Sequence, residues 1–249
     1  TENLDDCERM LRNVRSLRLA DNMIRIASCG SEIIGFCGTG KAFYGIQFGL
    51  EANDTDGAHI LLHFVTDVCG CGRDWSQEAI VREAGEKILS MAGDGNAVCA
   101  MTGGLDSGLC ALLAHRALGN RLKCVFINTG LMRKNELDAF FRFYRDQEGL
   151  NIQYIEAENQ FLSALEGVVS ASAKERIVGL TLQELLGSAS AGLAPFNTVI
   201  RSTTCDDILR GADVNTRPGI QSDKPLCEPI RDLFKDEVRA LGEYLGMPE

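Results

Sequence analysis

No apolar run in this sequence reaches the roughly 20 residues that a membrane-crossing helix needs. Nor does a basic, then apolar, then small-residue succession open it, so no secretory leader is read there. Both absences point to an intracellular, cytoplasmic protein with no membrane partner, and leave an organelle open. Basic residues are also in deficit: 25 Lys and Arg stand against 35 Asp and Glu, a net charge of −10. Nucleic-acid-binding surfaces are usually basic, so no nucleic-acid partner is expected, although a locally basic pocket is not excluded. Histidine is scarce, with 3 in the chain. His59 and His63 share helical i,i+4 spacing, but no Glu follows His59, and both read as surface or helix residues rather than metal ligands. The 10 cysteines lack paired spacing. Only Cys69-Gly70-Cys71 is close, and no second pair or nearby His completes a zinc set, which favours reduced thiols. The chain opens on Thr1 rather than Met, the mark of a processed, trimmed or fragmentary chain.

What is present is ordinary globular composition, 45% hydrophobic and 24% charged over 249 residues. That suffices for one large domain, or for a main domain with a smaller piece. The chain is organised around Asn96–Leu118. An apolar run, Ala97–Met101, stops at Thr102-Gly103-Gly104-Leu105-Asp106-Ser107, and Leu109, Leu112, Leu113 and Leu118 then share one helical face. This pattern predicts strand, glycine turn, helix. A helix N-terminus offers unpaired N–H groups and a partial positive charge, and two glycines let an anion approach the backbone. Thr102 and Ser107 add hydroxyls. Asp106 fits beside phosphates only with a cation such as Mg²⁺ between them. An ordinary βα turn with an N-cap is the bland alternative. The flanking hydroxyls and the Asp favour a phosphate site.

The rest of the chain frames that turn. Asp5–Arg15 reads as a polar helix. LRLA at 17–20, MIRIASC at 23–29, EIIGFCG at 32–38 and AFYGIQFGL at 42–50 read as short strands, too few to hold a core. Ala58–Val68 reads as a helix. Asp74-x-x-Gln77 has the form of a capping box before a helix with Ile80, Ala84, Ile88 and Met91 on one face. From residue 97 strands and helices alternate: strand 123–128, basic turn Arg133-Lys134, helix 135–147, strand 151–156, helices 161–169 and 173–186, strand 197–202, a polar loop 207–225 and a helix 235–245. Such alternation predicts an α/β fold, a doubly wound parallel sheet with ligands at the C-terminal strand ends, preceded by a small β-rich piece.

On these residues the sequence resembles a known family. The Thr102–Ser107 turn is similar to the Ser-Gly-Gly-x-Asp-Ser loop of the ATP pyrophosphatases. FINTGLMRKNE (126–136), FLSALEGV (161–168), KERIVG (174–179) and EPIRDLFKDEVRALGEYLGMPE (228–249) resemble GMP synthetase of the glutamine-hydrolysing type. FYGIQFGLE (43–51) and FVTDVCGC (64–71) resemble the tail of its amidotransferase domain and the junction that follows. The resemblance implies two domains: an amidotransferase remnant with its linker over 1–72, and an adenine nucleotide α-hydrolase-like ATP pyrophosphatase domain over 73–249. It implies that ATP, with Mg²⁺ placed by Asp106, adenylates XMP, and that ammonia then displaces AMP to give GMP. Thr102, Gly103, Gly104, Leu105, Asp106 and Ser107 would cradle the phosphates, and Lys235 would face them. Arg133 would close over the nucleotide, and the adenine would lie by Phe126 and Ile127. Lys235 has a plainer alternative, a surface lysine paired to Asp236 or Glu237.

The sequence also departs from that pattern. Gln-Phe-His-Pro-Glu reads Gln47-Phe48-Gly49-Leu50-Glu51, which removes the catalytic His and, with it, any expected glutaminase activity. The first loop Ser is Thr102, and the Asp after the second strand is Asn128. Ser202-Thr203-Thr204-Cys205-Asp206-Asp207 stands for Gly-Thr-x-Tyr-Pro-Asp, and a phosphate-facing Lys nearby has only Arg210 as a stand-in. The family's C-terminal dimerisation domain lies past Glu249, so a protein partner or larger assembly is the expected source of missing parts. Two readings stay open, an ammonia-dependent ligase and a pseudoenzyme kept as a structural subunit. A third, another ATP pyrophosphatase acting in tRNA thiolation or NAD synthesis, fits the loop but not FKDEVRALG.

Overall fold

Apolar side chains directed alternately to the two faces of successive strands after residue 96 build one five-stranded parallel sheet, and helices pack on both of its faces. The computed structural model describes residues 16–40, 43–48, 50, 55–193, 195–211 and 219–248. The chain divides after Asp74 into two compact units.

The first unit carries an antiparallel sheet, β1 (Met23–Cys29), β2 (Glu32–Gly38) and β3 (Tyr44–Ile46), in that spatial order. Gly30, at φ +56°, makes the tight turn that pairs Cys29 with Glu32. Helix α1 (Thr55–His63) continues as a π-turn over Phe64–Val68. Leu17–Ala20 does not form the expected strand. The Ala20 carbonyl instead accepts the Met23 N–H at 2.9 Å, and the resulting turn starts the sheet at β1. Among the described residues, no apolar side chain of this unit is fully buried, and Ile24 and Ile26 of β1 are half exposed. The anticipated helix at 5–15 and the positions Gly49 and Glu51 lie outside the described residues.

The second unit opens with α2 (Gln77–Ala92). Its N-cap is Ser76, whose Oγ accepts the Ala79 N–H at 3.2 Å, not Asp74 as the capping-box spacing suggested. The helix starts at Gln77, which leaves Ser76 as the residue in extended conformation at the cap position. There follow β4 (Ala97–Met101), α3 (Leu105–Leu118), β5 (Leu122–Asn128), α4 (Glu136–Phe141) with a π-turn to Gln147, and β6 (Ile152–Glu156). Then come α5 (Glu158–Leu165), α6 (Ala171–Ala191), β7 (Thr198–Ile200), α7 (Cys205–Leu209), β8 (Leu226–Cys227) and α8 (Lys235–Tyr244). The polar stretch from Asp207, expected as loop, thus begins inside the short helix α7, and residues 212–218 lie outside the description.

The sheet order is β6-β5-β4-β7-β8, with every pairing parallel. From central β4 the chain steps outward through β5 and β6, then returns to the other side at β7. The crevice at such a reversal lies at the C-terminal ends of β4 and β7. Both faces are covered, which is why the strands read as near-continuous apolar runs. Along β5, Cys124 and Phe126 face a core with α2, α3, α4 and α8, while Val125 and Ile127 face a second core with α5 and α6. Burial pushes the Cys99 thiol up to about 12 and raises Cys110 and Cys124 as well, so these cysteines act as small packing groups. No helix among the described residues is long and apolar enough to cross a membrane.

Helix α3 buries nearly its whole circumference, including Leu109, Leu112 and Leu113. Each such leucine contributes about 1.5–3 kcal/mol. One contact sets its depth. A Cβ on Gly108 would fall 2.0 Å from the Tyr144 hydroxyl oxygen, so the phenol rests on bare backbone. In an open helix Gly→Ala would stabilise by about 0.5–1 kcal/mol. Here Gly108→Ala should destabilise by about 1–3 kcal/mol through overpacking, read as a lower Tm, and Tyr144→Phe in the same chain should restore part of the loss.

Candidate functional site

The turn after β4 is braced from within. Ser107, 2% exposed, accepts the Thr102 N–H at 3.1 Å, donates to the Gly104 carbonyl at 3.0 Å and lies 3.1 Å from Thr102 Oγ1. Its one hydrogen is therefore committed to the loop. Ser107 thus clasps the loop, bonded to Thr102 at one end and Gly104 at the other. Gly103 sits at φ +84°, and a Cβ there would come 2.9 Å from Met132 Cε. Glycine is required there by backbone conformation and by packing. A Cβ on Gly104 would meet only Thr102 Oγ1, at 3.7 Å, so this surface of the loop is open. The first N–H groups of α3 have no carbonyl within their own helix. Thr102 remains exposed at the rim.

Lys235, the first residue of α8, places its ammonium on Asp106 Oδ2. Its partner is thus neither Asp236 nor Glu237 but the carboxylate in the glycine loop, 129 residues away in sequence. The Lys235 backbone N–H donates to Asp206 Oδ2 at 2.9 Å, which ties α8 to the start of α7 beyond β7. The two side chains of the pair remain 34% and 27% exposed. An ion pair this open to solvent contributes about 0–1 kcal/mol, so a phosphate can draw off the lysine, or a cation the aspartate, at small cost.

Arg133 is exposed and lines a cavity of ≈ 690 Å³ with Gly103, Gly104, Leu105 and, from α8, Arg239 and Glu243. Its backbone N–H donates to Glu136 Oε2 at 2.7 Å, which holds the basic turn to the start of α4. Phe126 and Ile127 end β5 beside the loop, but their side chains are buried on opposite faces, Phe126 against Phe140 at 4.6 Å between ring centroids. At 1% and 4% exposure neither residue presents a surface to solvent, and the Phe126 ring backs the loop, with Cε2 3.7 Å from where a Cβ on Gly103 would lie. The structure therefore gathers Thr102–Ser107, Lys235 and Arg133 around one loop and leaves the two β5 side chains in the cores.

A polar network at the ends of β5 and β6 was not anticipated. Asn128 donates to both oxygens of Glu156 at 3.2 and 3.1 Å, the Tyr154 hydroxyl donates to the same carboxylate, and the Glu158 N–H adds a bond at 3.0 Å. These donors, Tyr154 first, hold the Glu156 carboxyl below its ordinary range. Asp206 and Arg239 were also missed. Arg239 follows Lys235 by one helical turn, which places both on one face. Asp206 gave no local signal. No cluster of three His, Cys, Asp or Glu side chains suited to a metal occurs among the described residues. A single carboxylate with substrate phosphates and water is nevertheless the usual coordination of Mg²⁺, and Asp106 fits it.

Comparison with known proteins follows the same lines. The chain is 37% identical to the glutamine-hydrolysing GMP synthases of Shewanella denitrificans and Shewanella putrefaciens, over 84% of its own length and 42% of theirs. Over that stretch the chain is a GMP synthase homologue. It spans less than half the length of these relatives. No family model matches it. Among solved structures it resembles the NH3-dependent NAD synthetase of Campylobacter jejuni, at TM-score 0.55 and 22% identity, over 69% of this chain and 74% of that one. It also resembles the NMN synthetase of Francisella tularensis, at TM-score 0.54 and 17% identity, over 70% and 73%. The parallel sheet thus shares the fold of these two synthetases, and an antiparallel three-stranded sheet precedes it.

Asn128 stands where the GMP synthetase pattern carries an acid. Asn128→Asp would replace two donors to Glu156 with a like charge, so the Glu156 titration should move upward. Carboxyl-detected NMR over pH 2–7 reads this directly. An unmoved titration would show that Asn128 does not hold Glu156.

Proposed function

We propose that residues 73–249, which include the whole second unit, form a GMP synthetase-type ATP pyrophosphatase domain that binds ATP with Mg²⁺ and adenylates XMP for amination by ammonia. The carrying observation is the meeting of Lys235 with the glycine loop at Asp106, at the reversal of a parallel sheet, in a GMP synthase homologue. In this reading the 2-oxygen of XMP attacks the α-phosphorus of ATP and pyrophosphate leaves. Ammonia then attacks that purine carbon, AMP departs, and a proton is lost to solvent. The protein's part is electrostatic. The open Gly104 backbone and the first N–H groups of α3 would receive the β,γ-phosphates, and Lys235 would leave Asp106 to face them. Mg²⁺, held by Asp106 with phosphate oxygens, would neutralise charge on the departing pyrophosphate. Arg133, on the cavity wall beside the loop, would lie over the nucleotide.

Residues 1–72 are read as the tail of an amidotransferase domain with its linker. Gly49 stands in place of the catalytic His of the family pattern, so this chain is proposed to take ammonia rather than glutamine. A partner or larger assembly that supplies further domains, and a cytoplasmic setting, belong to the same reading. One observation favours a second reading. The Asn128 NH2 donates to Glu156 and its carbonyl oxygen accepts the Gly130 N–H, so where the family pattern has an acid this chain would have a structural amide. On that reading the unit binds ATP without turnover and serves as a subunit of an assembly.

Formation of AMP and pyrophosphate from ATP, XMP and ammonium with Mg²⁺, measured beside ATP binding by calorimetry, separates the two. Turnover excludes the pseudoenzyme, binding without turnover supports it, and absence of binding excludes both. Glutamine in place of ammonium should yield no glutamate. Lys235→Ala should lower kcat/KM for ATP by about 10²–10³, the cost of removing one preorganised charge from a developing anion. An unchanged value would remove Lys235 from the site.

A further inference from the structure

Lys235 can serve phosphates only if the first turn of α8 is held in place, and that turn has an unusual anchorage. The N-cap residue is Phe234, whose side chain has no oxygen with which to cap. Its own N–H is taken by Glu237 Oε2 at 2.8 Å, which by itself is half of an ordinary capping box. The other oxygen of the same carboxylate, Oε1, accepts the indole N–H of Trp75 at 2.7 Å. Trp75 lies 162 residues away and is the first residue of the second unit. Helix capping does not explain it. Its ring is 55% exposed, so burial does not account for its place either.

We infer that Glu237 is the positioning residue for Lys235, and that Trp75 fixes it. This rests on the reading of Lys235 as a phosphate-facing group. One carboxylate with a donor on each oxygen has a fixed plane, and through Phe234 that plane sets where the helix begins. The Lys235 N–H is held separately by Asp206. The backbone of the lysine is thus pinned by two carboxylates, from α7 and from α8 itself, while its four-carbon side chain is left free to reach from Asp106 to an anion. Indole is a donor only, so Trp75 has no other hydrogen-bond role to play in this arrangement.

The test uses the full chain, with pyrophosphate and Mg²⁺ as the probe. Glutamine turns one of the two accepting oxygens into a donor NH2, so in the present geometry either the Phe234 or the Trp75 bond is lost, and phenylalanine keeps an aromatic ring without the donor. Glu237→Gln and Trp75→Phe should each weaken pyrophosphate binding by roughly three- to tenfold, with Tm little changed. In a Lys235→Ala background neither should weaken it further, because their effect passes through the lysine. Additive losses, or undiminished affinity in the single variants, would overturn the inference, since a merely structural role would be additive. Amide exchange at Phe234 and Lys235 judges the anchorage without a ligand. It should quicken in both variants, and unchanged protection would overturn the link. Absent binding by the unaltered chain together with quickened exchange would instead count against the phosphate reading of Lys235 and leave the anchorage standing. Trp75 is the single tryptophan of the chain. Its emission in the folded protein should shift in Glu237→Gln, and an unshifted spectrum would also count against the bond.

Discussion

The parallel sheet imposes one constraint on which the rest depends. At the end of β4 the chain must pass from a strand buried on both faces to a helix buried almost all round, within three residues. Such a turn leaves backbone N–H and C=O groups near the core with no ladder to join. Ser107 meets the constraint by taking the Thr102 N–H and giving its hydrogen to the Gly104 carbonyl. Gly103 meets it by adopting a positive φ against Met132. Once those two residues are committed, what remains outward is Thr102, the open face of Gly104, and Asp106. The groups proposed to receive an anion are therefore those left over after the fold has satisfied itself.

Lys235 reaches that loop from the far end of the chain because α8 packs beside α3 in the same core, with Val238 and Leu241 buried against it. A cation at a helix N-terminus is disfavoured by the helix dipole. The acids around it offset this: Asp206 and Glu237 take N–H groups of the first turn, and Asp106 takes the ammonium. These are different tasks. The first two fix a backbone, and the third is a weak bond, about a third exposed, whose partner can be exchanged.

What the sequence made legible was local. The strand, the glycine pair and the leucine-rich helix lie within 23 residues, Asn96–Leu118, and each has its own period or turn chemistry. The alternating pattern after it led to the parallel sheet. Boundaries failed where two residue types competed for one role, as Ser76 and Asp74 did at the start of α2. Elements failed where they were too short to show a period, as with the two residues of β8. Phe126 and Ile127 were placed near the loop by sequence, and the pleat of β5 sends their side chains to opposite faces, Phe126 against Gly103 of the loop and Ile127 into the second core. Asp206, Trp75 and the Asn128–Glu156 bond were invisible for another reason. Their partners are fixed by strand order and helix docking, and no local spacing encodes those.

The same distinction bears on how this chain came to differ from the family pattern. An acid at position 128 would face the ionised Glu156 across neighbouring parallel strands, where Asn128 and Glu156 are in register. Two carboxylates there repel unless a cation lies between them. An amide removes the repulsion and satisfies the neighbour without a cation between them. The loop and Lys235 show no such substitution. Asp106 still has an opposite charge beside it, and that charge is movable. In this chain the β5–β6 side is thus closed into internal bonds, while the β4–β7 side keeps an exchangeable one. Anion binding asks only for the second side, whereas in the proposed ligase reaction the nucleotide spans both.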